Sequence, residues 1–164
     1  MPACACAFTR LGRSFGVKKL LATVLFVAGL FCTTLARADS PWTTDYKKAQ
    51  EEAKASHKLV LLNFTGSDWC GFCVLLDRAI LSQVQFKDYA NKNLVLVEID
   101  FPRRKALSIE TQKQNMQLAE QYQIAAFPTL VLLDGEGKTI WRYEGYYSGG
   151  VTAFLAELDK VRKG

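Results

Sequence analysis

The chain has 164 residues, 49% of them hydrophobic and 23% charged, and a formal net charge of +5. That balance fits one globular domain, with or without an appendage. Five of the 21 basic residues (Arg10, Arg13, Lys18, Lys19 and Arg37) and none of the 16 acidic ones fall within residues 1–38, so the remainder carries 16 of each sign and a nucleic-acid role loses its main support.

The first segment reads as an export signal. A basic start is followed by the uncharged run LLATVLFVAGLFCTTL, residues 20–35, and by ARA, residues 36–38, a small-x-small cleavage pattern. The expected organisation is a signal peptide over 1–38, cleaved after Ala38, and one domain over 39–164, periplasmic or secreted. An uncleaved anchor is the alternative, although the run is shorter than the ~20 residues of a span. Cys32 could point to a lipoprotein, but Phe31 is large for such a site. Cys4, Cys6 and Cys32 leave with the signal, and only Cys70 and Cys73 remain. One pair does not make a disulfide-stapled scaffold.

Along the domain, spacing predicts an amphipathic helix over 43–56 with Tyr46, Ala49, Ala53 and Ala55 on its apolar side. LVLLNF, 59–64, is a continuous apolar run of the kind found in central strands. VLLDRAIL continues with helical spacing beyond Cys73, and VQFKDYANKN adds a further turn or two. LVLVEI, 94–99, is a second buried strand. A basic loop with Arg103, Arg104 and Lys105 leads to a helix over 109–122 carrying Met116, Leu118, Ala119 and Tyr122. PTLVLLD, 128–134, and TIWRYEG, 139–145, flank the hairpin turn DGEGK. SGGVTAFLAELDKVR closes with an amphipathic helix. The order α-β-α-β-α-β-β-α implies an α/β fold: a mixed four-stranded sheet, parallel with an antiparallel edge, and helices on both faces.

The stretch FTGSDWCGFCVLLD places Cys70 and Cys73 where a strand hands over to a helix. Reactive groups gather at the carboxyl ends of strands in such sheets. Unpaired N–H groups and the dipole of the helix would stabilise a Cys70 thiolate, toward the range of ~3.5–7.5 seen for such cysteines. Cys73, one turn on, shares that face and can resolve a mixed disulfide. The pairing gives an exposed nucleophile and a more buried resolver. Zinc would need two further ligands, and residues 39–164 offer no third cysteine and only one histidine, His57. A purely structural disulfide would close a tiny loop and stabilise little.

Trp69-Cys70-Gly71-Phe72-Cys73 after a strand, Phe127-Pro128-Thr129 much later, the DGEGK hairpin and Gly145 before the last helix together resemble the thioredoxin superfamily, in an exported branch. The likeness covers nearly all of residues 43–162. It implies a three-layer thioredoxin-like fold, catalysis by Cys70 and Cys73, and a cis Phe127–Pro128 bond. It also implies a substrate groove formed by Trp69, Gly71, Phe72, Phe127, Pro128, Thr129, Gly145 and Tyr146. Trp141 and Tyr143 are expected to be packing residues.

The chain departs from the family in places. Asn63 stands where many relatives bury an acid, and Glu98 on the next strand is a candidate substitute. Asp68 is expected to be exposed. Arg78 lies where a kinking proline is common. Arg103–Lys105 is either a partner surface or a solvated loop. Gly71 and Phe72 bring no positive charge between the cysteines, which favours a reductant or mild exchanger over a strong oxidant. The reading is an exported protein-disulfide oxidoreductase without cofactor or metal. It would act on protein disulfides or thiols and be served by a membrane-embedded electron-transfer partner. The alternatives are an oxidase or isomerase on the same site, and a non-catalytic binding module of the same fold.

Overall fold

The computed structural model describes residues 41–164. The expected export signal, its expected cleavage after Ala38, and Cys4, Cys6 and Cys32 lie outside the described residues. The elements are β1 (Trp42–Thr43), α1 (Tyr46–Ser56), β2 (Leu59–Thr65), α2 (Gly71–Leu76), a π-helical turn (Asp77–Leu81), α3 (Val84–Asn93), β3 (Leu94–Asp100), α4 (Ile109–Gln121), β4 (Thr129–Leu133), β5 (Thr139–Glu144) and α5 (Gly150–Lys163).

The sheet order is β1-β3-β2-β4-β5. β2 runs parallel to β3, from Leu59 opposite Leu94 to Thr65 opposite Asp100. β4 is antiparallel to β2, with Phe64 opposite Thr129, and β5 is antiparallel to β4. The sheet therefore has five strands, not the expected four. Trp42 and Thr43 pair with Leu96 and Val97 as a parallel edge, and two residues carry no alternation to read. For the same reason α1 starts at Tyr46 instead of 43. The Asp45 carboxylate accepts the Lys48 N–H at 3.0 Å and fixes the helix start there.

Alternation along the strands divides the core into two layers. Val60, Leu62 and Phe64 join Val95, Val97, Ile99, Val131 and Leu133 on the face covered by Ala49 and Ala53 of α1 and Leu118 of α4, with Tyr122 beyond its end. Leu61, Leu94, Leu96, Leu130 and Leu132 point the other way. They meet Leu76, Ile80, Leu81, Phe86, Ala90, Phe154 and Leu158 from α2, the π turn, α3 and α5. Each buried Val, Leu, Ile or Phe side chain contributes about 1.5–3 kcal/mol. Both layers close over β2, which is why its sequence is apolar without a break.

Two helix expectations need correction. Ala55 is exposed, because small Ala49 and Ala53 already fill the contact of α1 with the sheet. Met116 is 67% exposed; α4 instead turns Asn115 and Leu118 inward, and the Asn115 amide donates to the Asp100 carbonyl at 2.8 Å. Trp141 and Tyr143 do pack, ring on ring at 6.0 Å, and the Trp141 indole donates to Glu157.

Candidate active site

β2 ends at Thr65, and residues 66–69 carry the chain to α2. Cys70 occupies the cap position of that helix with extended backbone, and the Cys73 N–H donates to its sulfur at 3.2 Å. The sulfur thus takes the place that a serine or aspartate oxygen holds at other helix starts. In this oxidised form Cys70 and Cys73 are joined as a disulfide. Their exposures are nearly equal, 7% and 5%. The expected contrast between an exposed nucleophile and a buried resolver is absent here, because the bond turns each sulfur toward the other.

Trp69 lies against the loops and is 38% exposed. Its indole N–H donates to the Phe101 carbonyl at 2.7 Å, and its ring meets the edge of Phe127 at 5.9 Å. Phe127 also leans on Phe101 at 5.2 Å. A Cβ at Gly66 would come within 2.5 Å of the Trp69 ring, so only glycine lets the indole lie on this backbone. Phe72 projects at 63% exposure, and a Cβ at Gly71 would meet nothing within 4 Å, so the surface beside Cys70 is open.

The Phe127–Pro128 bond is cis. Thr129 Oγ1 donates to the Ala126 carbonyl at 2.8 Å and closes the turn. The Thr129 side chain is fully buried, so any contact it makes with a bound segment is indirect. Gly145, at φ +86°, donates its N–H to the Pro128 carbonyl at 2.8 Å and anchors the same loop from β5. The structure brings together Trp69, Phe127, Pro128, Thr129 and Gly145. Tyr146 packs on the apolar layer that holds Leu76, Ile80 and Phe154.

Beneath α2, Asn63 is buried opposite Glu98 on β3 and Leu130 on β4, and its Oδ1 has no hydrogen-bond partner among the described residues. Burial, first, and the nearby charges of Asp100 and Asp77 push the Glu98 carboxyl above the usual range, against a smaller opposing effect of Lys105. The π turn Asp77–Leu81, closed by the Ser82 N–H on the Asp77 carbonyl at 2.7 Å, stands where Arg78 replaces the expected proline. A widened turn of this kind bends a helix without proline.

Asp68 is not simply exposed. It is half-buried, and its carboxylate accepts the Arg103 and Arg104 N–H groups at 2.9 and 2.6 Å, which hold it below the usual carboxylate range. Ser67 donates through its N–H and hydroxyl to Asp100 at 2.8 and 2.6 Å. Sequence reasoning missed Gly66, Ser67, Asp100 and Phe101. The run of small and polar residues before Trp69 was the available signal for a tight loop, but its partners lie more than thirty residues away.

A cysteine pair able to pass between this disulfide and a dithiol, held at a strand-to-helix junction of a mixed sheet, defines the chain as a thiol–disulfide oxidoreductase. A family model described as a thioredoxin-like domain matches residues 46–162, and the chain belongs to that family. It is similar to the disulfide bond reductase DsbH of Chlamydia pneumoniae, 37% identical over 129 residues that cover 79% of this chain and 76% of the relative. A solved structure of a DsbH oxidoreductase superposes with a TM-score of 0.70 at 37% identity, over 74% of this chain and 83% of that one. A disulphide isomerase from Xylella fastidiosa Temecula1 does so at 0.53 and 25% identity, over 69% and 87%. This protein is a protein-disulfide oxidoreductase of the thioredoxin superfamily.

Proposed function

We propose that the protein is an exported disulfide reductase acting on protein substrates, with Cys70 as nucleophile and Cys73 as resolving thiol. The observation that carries the assignment of Cys70 as nucleophile is its place as a sulfur cap: the Cys73 N–H aimed at Cys70 Sγ favours negative charge on that sulfur once the disulfide opens. The Cys70 thiolate attacks one sulfur of a substrate disulfide, and the other sulfur leaves as a thiolate that takes up a proton. Cys73, giving up its proton, then attacks Cys70 Sγ and releases the second substrate thiol. Two electrons pass to the substrate and the enzyme disulfide forms.

Trp69, Gly71, Phe72, Phe127, Pro128, Thr129, Gly145 and Tyr146 are proposed to shape the groove for an extended segment, with the backbone before Pro128 offering strand-like hydrogen bonds. Reduction supports the reading better than oxidation because Gly71 and Phe72 add no charge that would further stabilise the dithiol form. The name of the Chlamydia relative, a disulfide bond reductase, supports the same direction. Residues 1–38 are proposed as a cleaved signal, which places the domain in the periplasm or outside the cell. Re-reduction would then come from a membrane-embedded dithiol protein.

Cys73→Ser should accumulate covalent substrate adducts through Cys70, visible as bands lost on adding reductant. Absence of adducts together with no activity on a model disulfide refutes the reading. A reduction potential near about −270 mV supports the reductant, and one near about −120 mV the oxidant.

A further inference from the structure

The segment 101–108 between β3 and α4 carries three consecutive cations, Arg103, Arg104 and Lys105, all exposed. It is not a free solvated loop. Asp68 holds the backbone of Arg103 and Arg104, the Trp69 indole is bonded to the Phe101 carbonyl, and Lys105 Nζ reaches Ser67 Oγ at 3.4 Å. The Arg103 guanidinium spreads over the Trp69 ring, 4.0 Å from its centroid. The cations are therefore fixed beside the residue that precedes Cys70.

The carboxylates nearby do not bind these cations directly. Asp68 is taken by two backbone N–H groups, Asp100 by Ser67, and Glu98 is half-buried in β3. Among the described residues, none of the three cations forms an ion pair; the surface pairs fall on Lys54, Arg142, Arg162 and Lys163. The side chains of all three are exposed, whereas Asp68, Glu98 and Asp100 are partly buried, and Lys105 acts on Asp68 and Glu98 through charge without a direct pair. Residues 39–164 carry 16 charges of each sign, and at this edge the cations are the more exposed of the two signs.

We propose that this basic edge is a specificity determinant that selects substrate proteins bearing acidic residues close to the disulfide to be reduced. The inference rests on the reductase reading and adds the class of substrate. A segment lying extended in the groove advances about 3.3 Å per residue, and Arg103 lies on Trp69, the residue before Cys70, so the acidic positions fall within a few residues of the attacked cysteine. Fixed opposite charge acts mainly on encounter and orientation.

Three peptide disulfides, identical except for Glu, Gln or Lys at those flanking positions, are mixed with the reduced full domain and the release of peptide thiol is timed. The Glu peptide should react at least about tenfold faster than the Lys peptide at low ionic strength, and the ratio should fall toward one at about 0.5 M salt. Arg104→Glu with Lys105→Glu should invert the order. Equal rates for the three peptides, or a preference unmoved by salt in the unaltered protein, overturns the inference and leaves the reductase reading standing. Failure to reduce any of the three overturns both. The salt series needs no variant, so it decides the matter even if the double substitution does not fold.

Discussion

The two faces of the one sheet are built to different standards. On the face under α1 and α4, apolar side chains interlock and the polar atoms are paired: the Tyr46 and Tyr122 hydroxyls share a hydrogen bond at 2.8 Å, and burial pushes the Tyr122 phenol well up. On the face under α2, the same sheet carries an Asn63 oxygen unpartnered among the described residues, a half-buried Glu98, a widened helical turn and the disulfide. The first face is chiefly scaffold, with Phe101 and Phe127 of the site packed on it, and the second holds the groups nearest the chemistry. Natural proteins break local rules where they act and are compensated elsewhere.

The largest effect expected from testing this contrast lies on the first face. Phe64 is fully buried and meets Tyr122 edge-on at 6.2 Å. Phe64→Ala should cost about 3–5 kcal/mol in urea unfolding. If the faces are as distinct as described, the reduction potential of the surviving folded fraction should shift little. On the active face the sign reverses. Asn63→Leu keeps the branched outline of four side-chain heavy atoms, removes an oxygen without a partner among the described residues, and should raise stability by about 1 kcal/mol in the same assay. A loss of that size instead would mean that the oxygen is satisfied in solution.

The smallest effect is titrable. The Glu98 carboxyl is raised in the fold, so its protonated form is favoured there. Stability from this group is fully present below the ordinary glutamate value and is lost as pH rises through the raised one. Glu98→Gln should therefore gain stability relative to the unaltered protein at pH 7 and not at pH 4. Thermal unfolding at the two pH values reads the difference, and a gain that is flat with pH refutes the assignment.

Much of this was legible before any coordinates. Continuous apolar runs located β2, β3 and β4, and DGEGK located the hairpin, because burial on two faces and a tight turn leave strong local marks. The Cys70–Cys73 spacing and Phe127-Pro128 were read together because the family likeness joins them. What escaped depends on partners far along the chain. β1 exists because Leu96 and Val97 offer it an edge. Asp68 looked like surface until the backbone of Arg103 and Arg104 came to it. Met116 had the right hydropathy but the wrong angular position on α4.

The clamp at Asp68 has a consequence for how such a protein can change. It grips main-chain N–H groups, which nearly every residue type possesses, and leaves the side chains at 103 and 104 unconstrained by the grip itself. The mount is thus separate from what is mounted. A lineage, or an engineer, can rewrite the charges on that loop while the cysteine pair and its helix stay as they are. Client choice and electron transfer become independently adjustable parts.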